Sequence, residues 1–356
     1  IEFYAAIKTA EPFLPAGTVI AREQTYVHTF YKKEATAQQP ATSKEEGNLV
    51  AFSGPDFKAT FDKQSGLLTS YLYKKHEYIL NGQGPRPFFW RAPTDNDYGA
   101  NLPVRLKAWK EASYQEPKAE SFQVTPGSNA TTIKVTYRFP QTDARWDITY
   151  KIYASGVIKV DNRFVAEGDQ APMIPRVGLR MQLPESFTDL TYYGRGPKEN
   201  YRDRRTSQFI GEYAIPVKDM YEPYVRPQEN NHRTDIYWCA LTDKTQRGLL
   251  LIADRTFELN ASNYPLESMD SGDTIDNGAP RTEKTHHRHL TDPLPEKMVD
   301  LFIDYRMMGV GGDDSWGATA HEPYLIRPGK ENAIEYGFSL VPFDKKEDYK
   351  YLIRQY

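Results

Sequence analysis

Residues able to do chemistry gather in five short stretches. Residues 307–317, MMGVGGDDSWG, set four glycines and two acids around one tryptophan. An indole face matches the C–H face of a pyranose ring and buries it without pairing every hydroxyl. The glycines let the backbone come close, and Asp313 and Asp314 can accept from hydroxyls or clamp the loop. Taken alone, Trp316 reads equally well as a core residue after a glycine bend. Residues 88–99, FFWRAPTDNDYG, carry a second polar group, Arg91, Asp95, Asn96 and Asp97. Pro93 holds Ala92 extended, the three Asx side chains can bond nearby N–H groups, and Gly99 admits a positive φ. This stretch is either an Asx-capped structural turn or a polar rim for sugar hydroxyls.

The other three stretches are less selective. Residues 192–205, YYGRGPKENYRDRR, lack the third glycine of a nucleotide-binding turn. Glu199 and Asp203 with Arg195, Arg204 and Arg205 suit an ion-pair network there. Residues 219–233, DMYEPYVRPQENNHR, could bind hydroxyls or satisfy one another. In His286-His287-Arg288-His289, with Glu283 nearby, an extended strand puts at most two imidazoles on one face. Arg288 between them repels a cation, so these histidines are expected to be structural and no metal is expected.

The elements that position these stretches are predominantly strands. Ile133, Val135, Tyr137 and Phe139 alternate with polar residues, and Trp146, Ile148, Tyr150 and Ile152 repeat the pattern. A turn at residues 154–156 then returns the chain through Ile158, Val160 and Phe164, which predicts a hairpin. Period-two runs recur at residues 177–183, 299–305 and 334–340. The one helical signal spans residues 104–112, with Leu106 and Trp109 on one face. So many strands with one apolar face must cover each other, which predicts an all-β fold, a large antiparallel supersandwich.

Composition narrows the function. A net charge of −3 leaves no basic footprint for nucleic acid. No apolar run approaches the ~20 residues of a membrane span, so a soluble protein is expected. The single cysteine, Cys239, allows no intramolecular disulfide. Residues 32–47 lack any large apolar side chain and are expected to be a linker. That divides the chain into 1–31, too short to fold alone, the linker, and a main domain over 48–356.

Together, in this order, FFWRAPTDNDYG, YYGRGPKENYRDR, DMYEPYVRPQENNHR, HHRHL and MGVGGDDSWG resemble the C-terminal domain of the large β-galactosidases of glycoside hydrolase family 2. The resemblance runs from about Leu49 almost to Tyr356, and residues 3–24 look like the end of the family's preceding immunoglobulin-like domain. It implies a galactose-mutarotase-like supersandwich. It also implies a retaining glycosidase whose acid/base and nucleophile carboxylates lie in a (β/α)₈ barrel outside this chain. The magnesium of such an enzyme, with a possible sodium, belongs to that barrel. No catalytic residue and no cofactor is therefore expected here, and this portion alone is expected to be inactive. The resemblance implies that Trp316 stacks on the sugar or aglycone. It makes Asp313, Arg91, Asp95, Asn96 and Asp97 substrate-binding candidates, and it makes Gly99, Ala100 and Asn101 part of a mobile loop. The acidic contacts of longer versions of that loop are missing. Arg202 stands where a proline is common. A β-galactoside, the barrel domain and further copies of the whole chain are the implied partners, in a bacterial cytoplasm or periplasm. Two rival readings use the same residues: a non-catalytic carbohydrate-binding or scaffolding module, and an aldose 1-epimerase-like enzyme drafting His232, His287, Glu229 or Glu283.

Overall fold

The computed structural model describes residues 1–25, 39–168, 173–272, 289–314, 316–345 and 347–355. Strands β1 (Glu2–Ala6) and β2 (Val19–Gln24) form an antiparallel hairpin with Glu2 opposite Gln24. A lone hairpin has no interior, and Phe3, Tyr4 and Ile20 are exposed. Its ties to the rest are few. The Gln24 amide exchanges two hydrogen bonds with the Ile210 backbone, each 2.8 Å, and Arg22 lies 4.9 Å from the Phe209 ring centroid.

A five-stranded meander follows: β3 (Thr42–Glu46), β4 (Leu49–Ser53), β5 (Phe57–Asp62), β6 (Leu68–Tyr73) and β7 (His76–Glu77). The linker expected over 32–47 therefore ends early. Thr42–Glu46 is an edge strand with every side chain exposed, Thr42 opposite Ser53 and Glu46 opposite Leu49. An edge strand is held by backbone hydrogen bonds and needs no apolar residue, so its composition resembles a linker. Residues 26–38 lie outside the described part.

Among the described residues the second sheet has twelve strands. They are β8 (Arg86–Phe88), β9 (Ala119–Thr125), β10 (Thr131–Phe139), β11 (Ala144–Ile152), β12 (Ile158–Ala166) and β13 (Arg176–Pro184). They continue with β14 (Asp189–Gly196), β15 (Phe209–Pro216), β16 (Arg233–Thr242), β17 (Gly248–Ser262), β18 (Met298–Met307) and β19 (Ile334–Phe343). The expected hairpin is present, with Trp146 opposite Phe164 and Ile152 opposite Ile158. Gly156 takes φ 93° in its turn, a conformation glycine reaches without Cβ strain.

The main path runs β15-β14-β16-β17-β19-β12-β11-β10-β9, and it forks at β17. The first half of that long strand pairs with β19 through residues 248–253. The second half pairs with β18 through residues 258–262. Beyond β18 lie β13 and then β8. Between the halves, residues 254–256 face a gap between β18 and β19.

Apolar faces of the two sheets meet over a core rich in aromatic rings. Phe61 of the meander contacts Tyr150 edge-on at 5.0 Å, and the Tyr71 hydroxyl donates to Gly156 O at 2.5 Å. Phe89 is the hub, within 4.9–5.5 Å of Phe139, Trp109, Phe164 and Trp146. Such rings bury large areas and favour tilted or edge-on contacts.

Among the described residues α-helix is confined to α1 (Asp95–Gly99), α2 (Leu102–Arg105), α3 (Lys107–Tyr114) and α4 (Tyr349–Gln355). The helix expected over 104–112 is broken at Leu106, which joins α2 to α3 at φ −111°. Leu106 and Trp109 still share the core, each 1% exposed. Among the described residues no helix is long and apolar enough to cross a membrane.

Candidate functional site

The glycine-rich stretch after β18 is held by side chains from two other stretches. Arg91 donates through Nε and Nη2 to both oxygens of Asp97, at 3.0 and 2.7 Å. The same guanidinium reaches the loop backbone, Nη1 to Met308 O at 2.6 Å and Nη2 to Gly309 O at 3.1 Å. Asn96 Nδ2 donates to Val310 O at 3.1 Å. From the other side Asp203 accepts from the N–H groups of Val310 and Gly311, at 3.2 and 2.7 Å. A carboxylate receiving two backbone N–H groups is a strong anchor. Glycine is required at 309, since a Cβ there would come within 2.5 Å of Asp203 Oδ2 and 2.8 Å of Ala320.

Asp97 does two things. It neutralises Arg91, and it completes a capping box in which its carboxylate accepts from Thr94 N and Thr94 Oγ1 accepts from Asp97 N. The box starts α1, which brings Asn96 to the loop. The Asx residues therefore begin a helix rather than stay in a turn. Positive φ falls at Asn101 (55°), not at Gly99. Arg91 and Asp97 are 2% and 5% exposed and are spent on each other and on the loop, so both support it from beneath. Asp95 is exposed, with its carboxylate 3.8 Å from Arg226 Nε. Ala100 N–H bonds Asn96 O and Asn101 N–H bonds Tyr98 O, each at 2.9 Å. Movement of residues 99–101 would have to break these bonds.

Beyond Gly311 the loop projects. Asp314 Oδ1 accepts from the N–H groups of Trp316, Gly317 and Ala318 at 2.9, 3.1 and 3.2 Å. Asp313 Oδ1 lies 2.9 Å from His321 Nε2. Trp316 is 89% exposed, so it is not a core residue. The indole thus stands in water on a backbone held by side chains before and after Gly311.

The three backbone N–H groups hold the Asp314 carboxyl below its ordinary range, the bond from Trp316 being the largest cause. A depressed carboxyl pKa stabilises the loop turn above the unfolded value of about 3.9 and is lost as pH falls through the folded value. The amide resonances of residues 316–318 should therefore titrate together with a midpoint below about 3.9. They should not titrate this way in Asp314→Asn. Three unrelated midpoints, or persistence in the variant, would disprove the clamp.

Sequence reasoning missed a buried ionic layer under this loop. Glu258 accepts from Met307 N at 2.8 Å, pairs with His232 Nε2 at 2.9 Å and receives Arg202 Nε at 2.6 Å. Burial pushes the Glu258 carboxyl up, but His232 and Arg202 outweigh it and hold it low. Beside it, Arg176 sits between Glu229 and Asp304, 3.2 Å from each, and 4.2 Å from the Phe302 ring centroid. The expected network around Glu199 also forms differently. Glu199 takes Arg204 and the Asn231 N–H, while Arg195 and Arg205 converge on Asp235. Residues 283 and 286–288 lie outside the described part. Among the described residues no three His, Cys, Asp or Glu side chains cluster as metal ligands.

Solved structures with a similar chain trace include a galactose 1-epimerase from Lactobacillus acidophilus NCFM, at TM-score 0.46 and 6% identity over 87% of this chain and 99% of that one. A putative aldose 1-epimerase from Escherichia coli K12 gives TM-score 0.44 and 10% identity over 83% and 99%. In sequence, the beta galactosidase small chain family matches residues 53–340, and the chain belongs to that family. Its relatives include a beta-galactosidase of Priestia megaterium, 33% identical over 82% of this chain and 26% of the relative. The beta-galactosidase of Streptococcus thermophilus is 27% identical over 96% and 32%. The chain thus spans about a quarter to a third of these relatives' length.

Proposed function

We propose that this chain is part of a larger retaining β-galactosidase and completes its active site with the indole of Trp316. The observation that carries the reading is the exposure of that ring on a loop braced by Arg91, Asn96, Asp203 and Asp314. A ring so held can stack on a sugar face with little ordering cost at the moment of binding. In this reading the acid/base and nucleophile carboxylates, with magnesium and sodium, belong to a barrel outside this chain, and the described portion is inactive alone. Asp95 and Asp313, exposed beside Arg226 and His321, are the acids placed to meet sugar hydroxyls at the rim.

The test is made in the longer enzyme. Trp316→Ala should lower kcat/KM for β-galactosides about tenfold or more, roughly 1.4 kcal/mol of transition-state stabilisation. Trp316→Phe, which keeps an aromatic face, should retain most of the activity. Unchanged kcat and KM in the alanine variant would remove the stacking role.

A further inference from the structure

One hollow in the described structure is a trough of about 1000 Å³ whose lining does not include the Trp316 loop. It opens at the fork of the large sheet. Residues 254–256 of β17 form one wall, the Tyr305–Arg306 end of β18 and the start of β19 form others, and β10 to β12 continue the floor. Its volume is at the upper end for small-ligand pockets, but its lining is polar and charged rather than apolar.

The charges in it are unequally spent. All four lining carboxylates have cationic partners. Asp147 pairs with Arg145 at 2.8 Å and Glu335 with Arg163 at 3.4 Å, while Lys159 bridges Asp161 and Asp254. Six Lys and Arg side chains line the same trough, and Arg202 is held by Glu258 beneath it. Lys134, Arg255 and Arg306 remain, and among the described residues none has a carboxylate partner. Arg306 is the most telling, since its Nε is sealed from water without a hydrogen-bond acceptor. An unmet guanidinium donor in a partly buried place is costly unless an acceptor arrives.

The floor is also shaped. Gly337 leaves room where a Cβ would meet Asp254, Lys159 and Asp161, which keeps their ion ladder lying flat across β19. The Arg306 guanidinium lies 5.1 Å from the Tyr305 ring centroid, and the Tyr336 ring centroid is 6.1 Å from that of Tyr305. We infer that this trough is a second ligand site, for an oligosaccharide carrying an acidic group. Its hydroxyls would donate to the flanking carboxylates, its ring faces would rest on the tyrosines, and its carboxylate or sulfate would take Arg255 and Arg306. Six cationic side chains against four carboxylates leave the lining net positive, which favours an acidic chain over a neutral one.

Calorimetric titration of the purified chain decides it, with four probes: a uronate oligosaccharide, a sulfated galactan oligosaccharide, a neutral galacto-oligosaccharide of equal length, and inorganic sulfate. At least one acidic oligosaccharide should bind about tenfold more tightly than both the neutral one and the bare ion, and which one it is names the acidic group. Arg255→Gln and Arg306→Gln should each weaken that binding about fivefold or more, and Trp316→Ala should leave it unchanged. Arg255 is exposed, so its variant carries the test even if the Arg306 variant unfolds. Equal binding of neutral and acidic chains, sulfate matching the oligosaccharide, indifference to Arg255→Gln, or no binding would each overturn the site. Because Trp316 is not involved, failure here leaves the galactoside reading standing, and the reverse holds too.

Discussion

Arg91→Ala is expected to destabilise the chain by about 3–5 kcal/mol, the cost of breaking a buried ion pair by removing one partner. The guanidinium is 2% exposed and Asp97 is 5% exposed, so the abandoned carboxylate would have no water to turn to. Met308 O and Gly309 O would lose their donors in the same step. Arg91→Lys should rescue little, because an ammonium cannot bond both Asp97 oxygens and two carbonyls in one plane. Urea denaturation of the three proteins measures this. A loss under about 1 kcal/mol in the alanine variant would mean the pair contributes no more than an exposed one. The same substitution should raise hydrogen exchange at residues 308–311 before any global unfolding, since the loop's support lies beneath it.

Arg176→Met should cost a comparable amount, about 3–5 kcal/mol, for a different balance of charge. One guanidinium there faces two carboxyls, Glu229 and Asp304, in a fully buried site. A single positive charge cannot hold two carboxylates ionised in that surrounding. Burial is the first cause that pushes the Asp304 carboxyl well above its ordinary range, with Glu258 and Glu229 adding to it against Arg176. A carboxyl pKa raised on folding makes the native state bind more protons than the unfolded one. Its contribution is therefore fully present below the unfolded value of about 3.9 and is lost as pH rises toward the folded value. Asp304→Asn keeps the shape without the proton. The difference in unfolding free energy, parent minus variant, should fall as pH rises above about 4. A flat difference would show that Asp304 is ionised in the native state throughout.

Much of the architecture was legible in the residues. Alternation of apolar and polar side chains reports one buried face per strand, and Trp146 facing Phe164 across a turn at Gly156 followed from it directly. The turn chemistry around Pro93 and the glycines at 309–312 marked both loops of the candidate site. Alternation failed where a strand is covered on both faces. Arg176, Glu258 and Asp304 sit at positions that a period of two assigns to solvent, and all are buried. Their partners lie on loops and strands distant in sequence, so no spacing could pair them.

The sequence by itself determined the strands, the family motifs and the presence of an indole in a permissive loop, because these are properties of neighbours along the chain. Whether that indole faced water or the core, and which charges lay beneath it, was decided only by tertiary structure. Asp203 is the clearest case. Its neighbours are three arginines, yet it bonds the backbone N–H groups of Val310 and Gly311, more than a hundred residues on. A carboxylate next to arginines has many possible partners in an unfolded chain. Packing of β18 against β17, which delivers two unpaired N–H groups to that carboxylate, selects one.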